Sequence, residues 1–220
     1  MLVAGLDEAG RGSIIGPLVV AGVTIKQETL PKLTQLGVKD SKLLLPKKRV
    51  DLAQQIKLLA EQYLIIRLMP PEIDRVVASQ RRLHKLNRLE ADTMAKIIDA
   101  LKPEEAYVDA ADVVEDRFKH HIQERLSIKT RIISKHKADK IYAIVSAASI
   151  LAKVERDNEI KRLATEFGDF GCGYLTDPKT KAFLREWLET HREYPDCVRK
   201  SYKPARKVKD EIKGIQKKLI

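Results

Sequence analysis

A chain of 220 residues with a 44% hydrophobic fraction can bury one sizeable core, or a core and a smaller appendage, which excludes disorder over its whole length. No stretch reaches the roughly 18 uninterrupted apolar residues of a membrane span, and the chain meets Asp7 too early for a signal peptide, so a cytoplasmic protein is expected. The 42 Lys and Arg against 31 Asp and Glu leave +11, of which +7 lies between Arg199 and Ile220; this favours an acidic macromolecular partner, nucleic acid before membrane, over a merely solvated surface.

Leu2 to Leu6 reads as a short buried strand and Leu18 to Ile25 as a second, joined by a turn with Gly10, Gly12, Gly16 and Pro17. A polar connection follows, and Pro46 opens a helix through about Glu61 with Val50, Ala53, Ile56 and Leu59 at helical spacing. "YLIIRLM" (63–69) reads as a third strand stopped by Pro70-Pro71, and a helix near 86–101 carries Met94, Ile97, Ile98 and Leu101 on one face. "AYVDAAD" gives a short strand ending at Asp109, and the alternation of Ile128, Thr130 and Ile132 gives a fifth strand over 127–134. Beyond Asp139 the pattern is helical, apart from "GDFGCGYLTDP" at 168–178. The order predicts an α/β fold: a mixed five-stranded sheet flanked by helices, with a C-terminal helical segment. Cys172 and Cys197 lack metal-ligand spacing and read as free thiols.

Four acids stand out by position. Asp7 and Glu8 follow strand 1, Asp109 ends strand 4, and Asp139 opens the helix after strand 5. Residues at strand ends of an α/β sheet converge on one edge, where sites are commonly built. Carboxylates gathered there repel one another unless cations sit between them, and an all-oxygen donor set suits Mg²⁺ or Mn²⁺. Two such ions can activate a water and steady the leaving oxygen of a phosphodiester. Any one of these acids alone is as well explained by solubility. Adjacent strand residues face opposite ways, so the strand is expected to end, bulge or twist between Asp7 and Glu8, or Glu8 to bind from a different side. Gly10-Arg11-Gly12 permits close backbone approach with a phosphate clamp, and its plain alternative is a tight turn.

Seven blocks then occur in one order: "GLDEAGRG" (5–12), "KDSK" (39–42), "YVDAAD" (107–112), "KHKAD" (135–139), "VSAASILAKVERD" (145–157), "GCGYLTDP" (171–178) and "VRKSY" (198–202). Together they resemble ribonuclease HII, the type 2 ribonuclease H, most closely its archaeal form, over residues 2 to about 204. The resemblance implies a ribonuclease H-like catalytic core over 1–160 with a C-terminal helical substrate-binding segment, 161–220, packed on it. It implies hydrolysis of RNA within RNA–DNA hybrids and cutting 5′ to single ribonucleotides in duplex DNA, leaving 5′-phosphate and 3′-hydroxyl ends. The family's catalytic and metal-binding acids fall on Asp7, Glu8, Asp109 and Asp139, served by two Mg²⁺ or Mn²⁺ ions. Gly10, Arg11 and Gly12 would read the ribose 2′-hydroxyl and the RNA–DNA junction, the group that distinguishes RNA from DNA. Tyr174 would pack on the deoxyribose beyond the ribonucleotide, and Lys42 would contact a phosphate.

This chain departs from the family pattern at Ser13 for the usual proline, which is expected to loosen the loop presenting Gly12, and at Leu43, Leu45, Cys172, Leu175 and Tyr202, the last for tryptophan. His136 reads as structural or solvated at least as well as a proton shuttle or phosphate contact, His120-His121 as surface, Ser146 and Ser149 as packing residues with approach of Ser149 to the site as the alternative, and Lys153 and Arg156 as solvated helix charges. The C-terminal "GIQKKLI" lacks the aromatic pair of a sliding-clamp peptide, so no clamp contact is expected, and the protein is expected to be monomeric. A type 1 ribonuclease H or DNA nuclease on the same sheet, and a non-catalytic nucleic-acid binding module, are the competing readings.

Overall fold

A computed structural model describes residues 1–38, 45–79 and 85–218, with α9 side chains described through Ile212. Five strands form one mixed sheet in the order β3-β2-β1-β4-β5: β1 (Leu2–Ala9), β2 (Leu18–Lys26), β3 (Gln62–Leu68), β4 (Glu105–Asp109) and β5 (Arg131–Lys135). β1 pairs antiparallel with β2 from Leu2↔Lys26 to Ala9↔Val19, and parallel with β4, which pairs parallel with β5. This is the mixed sheet expected from the strand and helix order.

The chain folds as two compact units, Met1–Ala9 with Val19–Arg67 and Leu83–Glu155, and Gly10–Leu18 with Leu68–Arg82 and Arg156–Ile220. The first holds the sheet, with α1 (Leu30–Gln35), α2 (Pro46–Leu59), α4 (Lys85–Leu101), α5 (Glu115–Gln123) and α6 (Ala138–Ile141). Odd-numbered β1 and β2 residues, Val3, Ala9, Val19, Ala21, Val23 and Ile25, pack with Leu52, Ala53 and Ile56 of α2 and with Val145, Ala148 and Ala152 of α7 (Ala143–Phe167). The period of two therefore aims alternate residues at that helical layer and the intervening ones at the other face.

The second unit holds α3 (Pro70–Ala78), α8 (Pro178–His191) and α9 (Lys203–Lys218), the last turns of α7 and the loop of residues 10–18. Its core joins Ile14 and Ile15 from that loop to Ile160, Leu163, Phe170, Leu184, Leu188 and Val198. Asp177 caps α8 by accepting the Lys179 N–H at 2.9 Å, with Pro178 at the first helical position.

The boundaries at Pro70 and at the start of β5 differ from expectation. Pro70-Pro71 does stop β3, but it also opens α3, because proline suits a first helical turn and the Glu72 carboxylate accepts the Met69 N–H at 2.8 Å. β5 begins at Arg131 because the Ser127 N–H is taken by the Asp99 carboxylate at 3.0 Å and the Thr130 hydroxyl by the Pro103 carbonyl at 2.9 Å.

Candidate active site

β1 does not end at Leu6. Its pairing with β2 continues without a bulge through Asp7↔Ala21, Glu8↔Val20 and Ala9↔Val19. The two adjacent acids thus leave the strand on opposite sides: Asp7 on the side of Val3, Ala9 and α7, only 5% exposed, and Glu8 on the other, half-buried. The parallel pairing of β1 with β4 ends at Leu6↔Val108, so Asp7 and Asp109 are the next residues on adjacent strands, at their carboxyl ends. Parallel neighbours in register face the same way, which sets these two carboxylates side by side.

The electrostatics follow from that placement. Burial holds the Asp7 carboxyl well above the usual carboxylate range, and the charges of Glu8 and Asp109 push it further. A hydrogen bond from Ser149 and the Glu8 N–H, 2.7 Å from Asp7 Oδ1, oppose this only in part. Asp109 Oδ1 accepts the Ala138 N–H at 2.7 Å, which fixes the start of α6 beside the end of β4. Asp139, the next residue, is buried at 8% exposure. Lys137 enters this helix in the left-handed region, φ 55°.

Among the described residues no group of three or more His, Cys, Asp or Glu side chains is arranged so as to hold a metal ion. The donor set nevertheless fits a hard divalent cation: the acids are all-oxygen ligands, and a buried carboxylate raised by two like charges is the situation a cation relieves.

Asp112, in the same "YVDAAD" block, is a different kind of acid. It is 1% exposed and bonded by Arg117, by Asn87 Nδ2 at 2.9 Å and by the Val114 N–H at 3.0 Å. Its carboxyl is held far below the usual range, chiefly by Arg117. It is a satisfied structural group.

The second unit presents backbone at its glycines. Gly10 has φ +83°, and a side chain there would strike the Pro17 carbonyl, while Gly173 has φ +82° and faces the Ile15 carbonyl as closely. Gly12 is exposed, and a Cβ placed on it would lie 3.8 Å from Tyr174 Cε1, so these two residues, far apart in sequence, adjoin. Ser13 does not loosen this loop. It is fully buried; its N–H reaches the Gly10 carbonyl at 3.2 Å, and its hydroxyl lies 2.7 Å from the Ile15 carbonyl and 3.0 Å from that of Gly173.

Arg156 is not a solvated helix charge. It is 7% exposed, donates to Ser13 Oγ at 3.2 Å and to the Cys172 carbonyl, and lies over the Tyr174 ring, 4.9 Å from its centroid. Arg199, fully buried in "VRKSY", donates to the Gly16 carbonyl through Nε and Nη2, each at 3.1 Å, and to the Arg11 carbonyl through Nη1 at 2.8 Å.

Other sequence-derived residues fall as follows. Lys42 lies outside the described residues. The Ser146 hydroxyl donates to the Val38 carbonyl at 2.7 Å, a packing role, whereas Ser149 is bonded to Asp7. His136 Nε2 lies 2.8 Å from the Asp112 carbonyl and its N–H donates to Glu115 at 2.7 Å, a structural histidine. His120 is exposed, but His121 is buried at 6%, because it falls on the same face of α5 as Phe118. Burial pushes the Cys197 thiol up to about 12, and Cys172 is exposed; both are free. Among the described residues no helix is long and apolar enough to cross a membrane.

Comparison with known proteins gives the family. The family model described as Ribonuclease HII matches residues 4–205. A ribonuclease HII of Pyrococcus furiosus is 46% identical over 100% of this chain and 96% of its own length. The crystal structure of the ribonuclease H2 of Pyrococcus horikoshii OT3 superposes with a TM-score of 0.89 at 41% identity, covering 97% of this chain and 99% of that one. A ribonuclease HII of Archaeoglobus fulgidus, solved in complex with PCNA, has a TM-score of 0.84 at 42% identity, covering 94% and 96%. With the acids at the ends of β1 and β4 and the glycine loop beside Tyr174, these matches show that the chain belongs to the ribonuclease HII family, metal-dependent endoribonucleases that cleave the RNA strand of RNA–DNA hybrids.

Proposed function

We propose that this enzyme cuts 5′ to single ribonucleotides embedded in duplex DNA, as well as within RNA–DNA hybrids, and leaves 5′-phosphate and 3′-hydroxyl ends. The observation that carries the chemistry is the like-charge pair at the ends of two parallel strands, Asp7 beside Asp109 with Glu8 adjoining. Asp7, Glu8, Asp109 and Asp139 would hold Mg²⁺ or Mn²⁺. Two bound ions would supply water activation and neutralise charge on the leaving oxygen. Asp7 is the organising ligand, kept in one orientation by Ser149 and the Glu8 N–H. Asp109 is oriented by the first N–H of α6. Catalysis rests on positioning and charge neutralisation, with no covalent enzyme intermediate.

In this reading Gly10, Arg11 and Gly12 contact the ribose 2′-hydroxyl and its phosphate, Tyr174 packs on the following deoxyribose, and Lys42 contacts a phosphate. Support comes from the exposure of Gly12 against the Tyr174 ring, which offers backbone and an aromatic face together. A duplex with one ribonucleotide, incubated with each metal and mapped at nucleotide resolution, tests it. Cleavage 5′ to the ribonucleotide is expected. Cutting confined to continuous hybrids overturns the junction assignment. Asp109→Asn should abolish cleavage and leave hybrid binding intact, and near-normal cleavage by it would sink the assignment of the acids.

The PCNA complex of the Archaeoglobus fulgidus relative favours a second reading, that this chain too engages a sliding clamp, although its C-terminal "GIQKKLI" lacks the aromatic pair. Deleting residues 214–220 should remove binding to an archaeal PCNA on a sensor surface. Absence of binding by the full chain would refute it.

A further inference from the structure

We propose that Ser13 and Tyr202 are positioning residues for junction reading: each hydroxyl, paired with a buried guanidinium, fixes one side of the loop that carries Gly10, Arg11 and Gly12. The proposal rests on the assignment of that loop and Tyr174 to the ribonucleotide junction.

Residues 10–17 contain no helix or strand, so their shape is set by hydrogen bonds from elsewhere in the unit. On one side, the Ser13 hydroxyl accepts from Arg156 Nη2 at 3.2 Å and lies within reach of the Ile15 and Gly173 carbonyls, at 2.7 and 3.0 Å. Arg156 in turn holds the Cys172 carbonyl and covers the face of Tyr174. Ser13 is thus the link between the segment presenting Gly12 and the segment presenting Tyr174.

On the other side, the Tyr202 hydroxyl donates to the Arg11 carbonyl at 3.1 Å and accepts from Arg199 Nη1 at 3.0 Å. Arg199 itself spans the loop, from the Arg11 carbonyl to the Gly16 carbonyl, and covers the Tyr202 ring at 5.2 Å. The two pairs have the same design: a guanidinium that no longer meets water, a hydroxyl, backbone carbonyls and an aromatic face.

Other residues at these two positions would not supply the same bonds. Proline at 13 would fix φ but remove the N–H given to the Gly10 carbonyl and the hydroxyl bonded to Arg156. Tryptophan at 202 offers a donor but no acceptor for Arg199, whereas a phenol is both. Here the loop is held by hydrogen bonds, and its precision depends on the two hydroxyls.

Tyr202→Phe and Ser13→Ala remove the hydroxyls alone. Steady-state kinetics are measured on a duplex with one ribonucleotide and on a continuous hybrid, with Tyr174→Ala in parallel and amide hydrogen exchange followed over residues 9–17. Each variant is expected to lose about fivefold or more in kcat/KM on the single ribonucleotide, the effect of a buried acceptor or donor losing its partner. On the continuous hybrid, which offers 2′-hydroxyls but no RNA–DNA junction, the loss in kcat/KM is expected to be smaller, so that the substrate ratio shifts. Exchange at Arg11 and Gly12 is expected to quicken in Tyr202→Phe, a half-exposed site where folding is not at stake. If both variants keep the wild-type substrate ratio and exchange while Tyr174→Ala lowers the ratio, the positioning role is overturned and the junction reading stands. Equal losses on both substrates, tracking a lowered Tm, also overturn it. If Tyr174→Ala keeps the ratio too, the junction reading falls and the proposal with it.

Discussion

The acids of the sheet unit and the glycine loop of the helical unit solve placement in opposite ways. Asp7 and Asp109 are side chains carried by strands whose register is fixed along their length, so two residues at matching positions of neighbouring strands meet without help from a loop. Gly10, Gly12 and Gly173 present backbone from segments without regular structure, and their geometry is imposed by two buried arginines. The first arrangement carries electrostatic repulsion that a bound cation would relieve. The second removes two guanidinium groups from water in return for a shaped surface, and burial lowers Arg199 from its ordinary value as a result. A site of side chains is limited by charge; a site of backbone is limited by how firmly it is held.

The largest test of this contrast is Asp7→Asn. If Asp7 is the metal ligand proposed above, its loss is expected to lower cleavage by on the order of 10³-fold or more, while hybrid binding persists. In EDTA the same change should raise Tm, because Asp7 is buried and pushed up by its acidic neighbours. The sign is definite: an acid raised in the folded chain favours folding when protonated and costs stability as pH rises through the unfolded carboxylate range. Each kcal/mol gained is about 2–4 °C at this chain length. A lowered Tm in EDTA would mean that the acids are not in mutual repulsion.

Arg156→Leu probes the other arrangement and should be the larger of the helical-unit effects. It leaves Ser13 Oγ and the Cys172 carbonyl without a donor and takes the cation from the Tyr174 face. About 1–3 kcal/mol of stability should be lost in chemical denaturation. Cleavage at a single ribonucleotide should fall about 10- to 100-fold, the same free energy read as a rate. An unchanged rate would remove Arg156 from any role at the loop.

Asp112→Ala separates the two acids of one sequence block. Asp109 should be needed for cleavage and Asp112 only for folding. Loss of the Arg117, Asn87 and Val114 bonds should cost about 1.5–3 kcal/mol, with kcat unchanged below the transition. Because the Asp112 carboxyl is held low in the folded chain, its stabilisation is complete above the unfolded value near 3.9 and is lost as pH falls below it, the reverse of Asp7. The wild type should therefore be more acid-sensitive than the variant in Tm measured from pH 6 down to about pH 3.

The acids were legible in the sequence and the frame of the loop was not, and the reason is physical. Strand periodicity and the position of Asp7, Asp109 and Asp139 at element ends place an acid without knowledge of its neighbours. The mixed sheet followed from element order for the same reason. The continuation of β1 through Glu8 was missed because two adjacent acids read as a strand's end, whereas register with Val19 and Val20 carries the strand on. Arg156 and Arg199 look in sequence like any helix or loop cation, and their remote partners, the Ser13 hydroxyl for Arg156 and the Arg11 and Gly16 carbonyls for Arg199, are what make their burial tolerable. Ser13 was misjudged on local grounds alone, since its partners Gly173 and Arg156 are remote.

The smallest expected effect concerns the charge itself. On α9 Lys209 is engaged by Glu193 at 2.6 Å, and Glu211 by Arg185 at 2.7 Å, which ties α9 to α8. Lys203, Arg206 and Lys207 instead sit exposed on that helix, along one groove with Asp210 and Glu211. If these three cations neutralise phosphates, replacing them together by alanine should reduce the slope of log K against log salt by about 2–3, roughly one per contact. Binding at low salt should weaken, and kcat at saturating hybrid should not move, since the helix carries none of the four acids. A slope equal to that of the wild type would make the α9 cations a solvated face and leave hybrid affinity to the loop, Arg11 included.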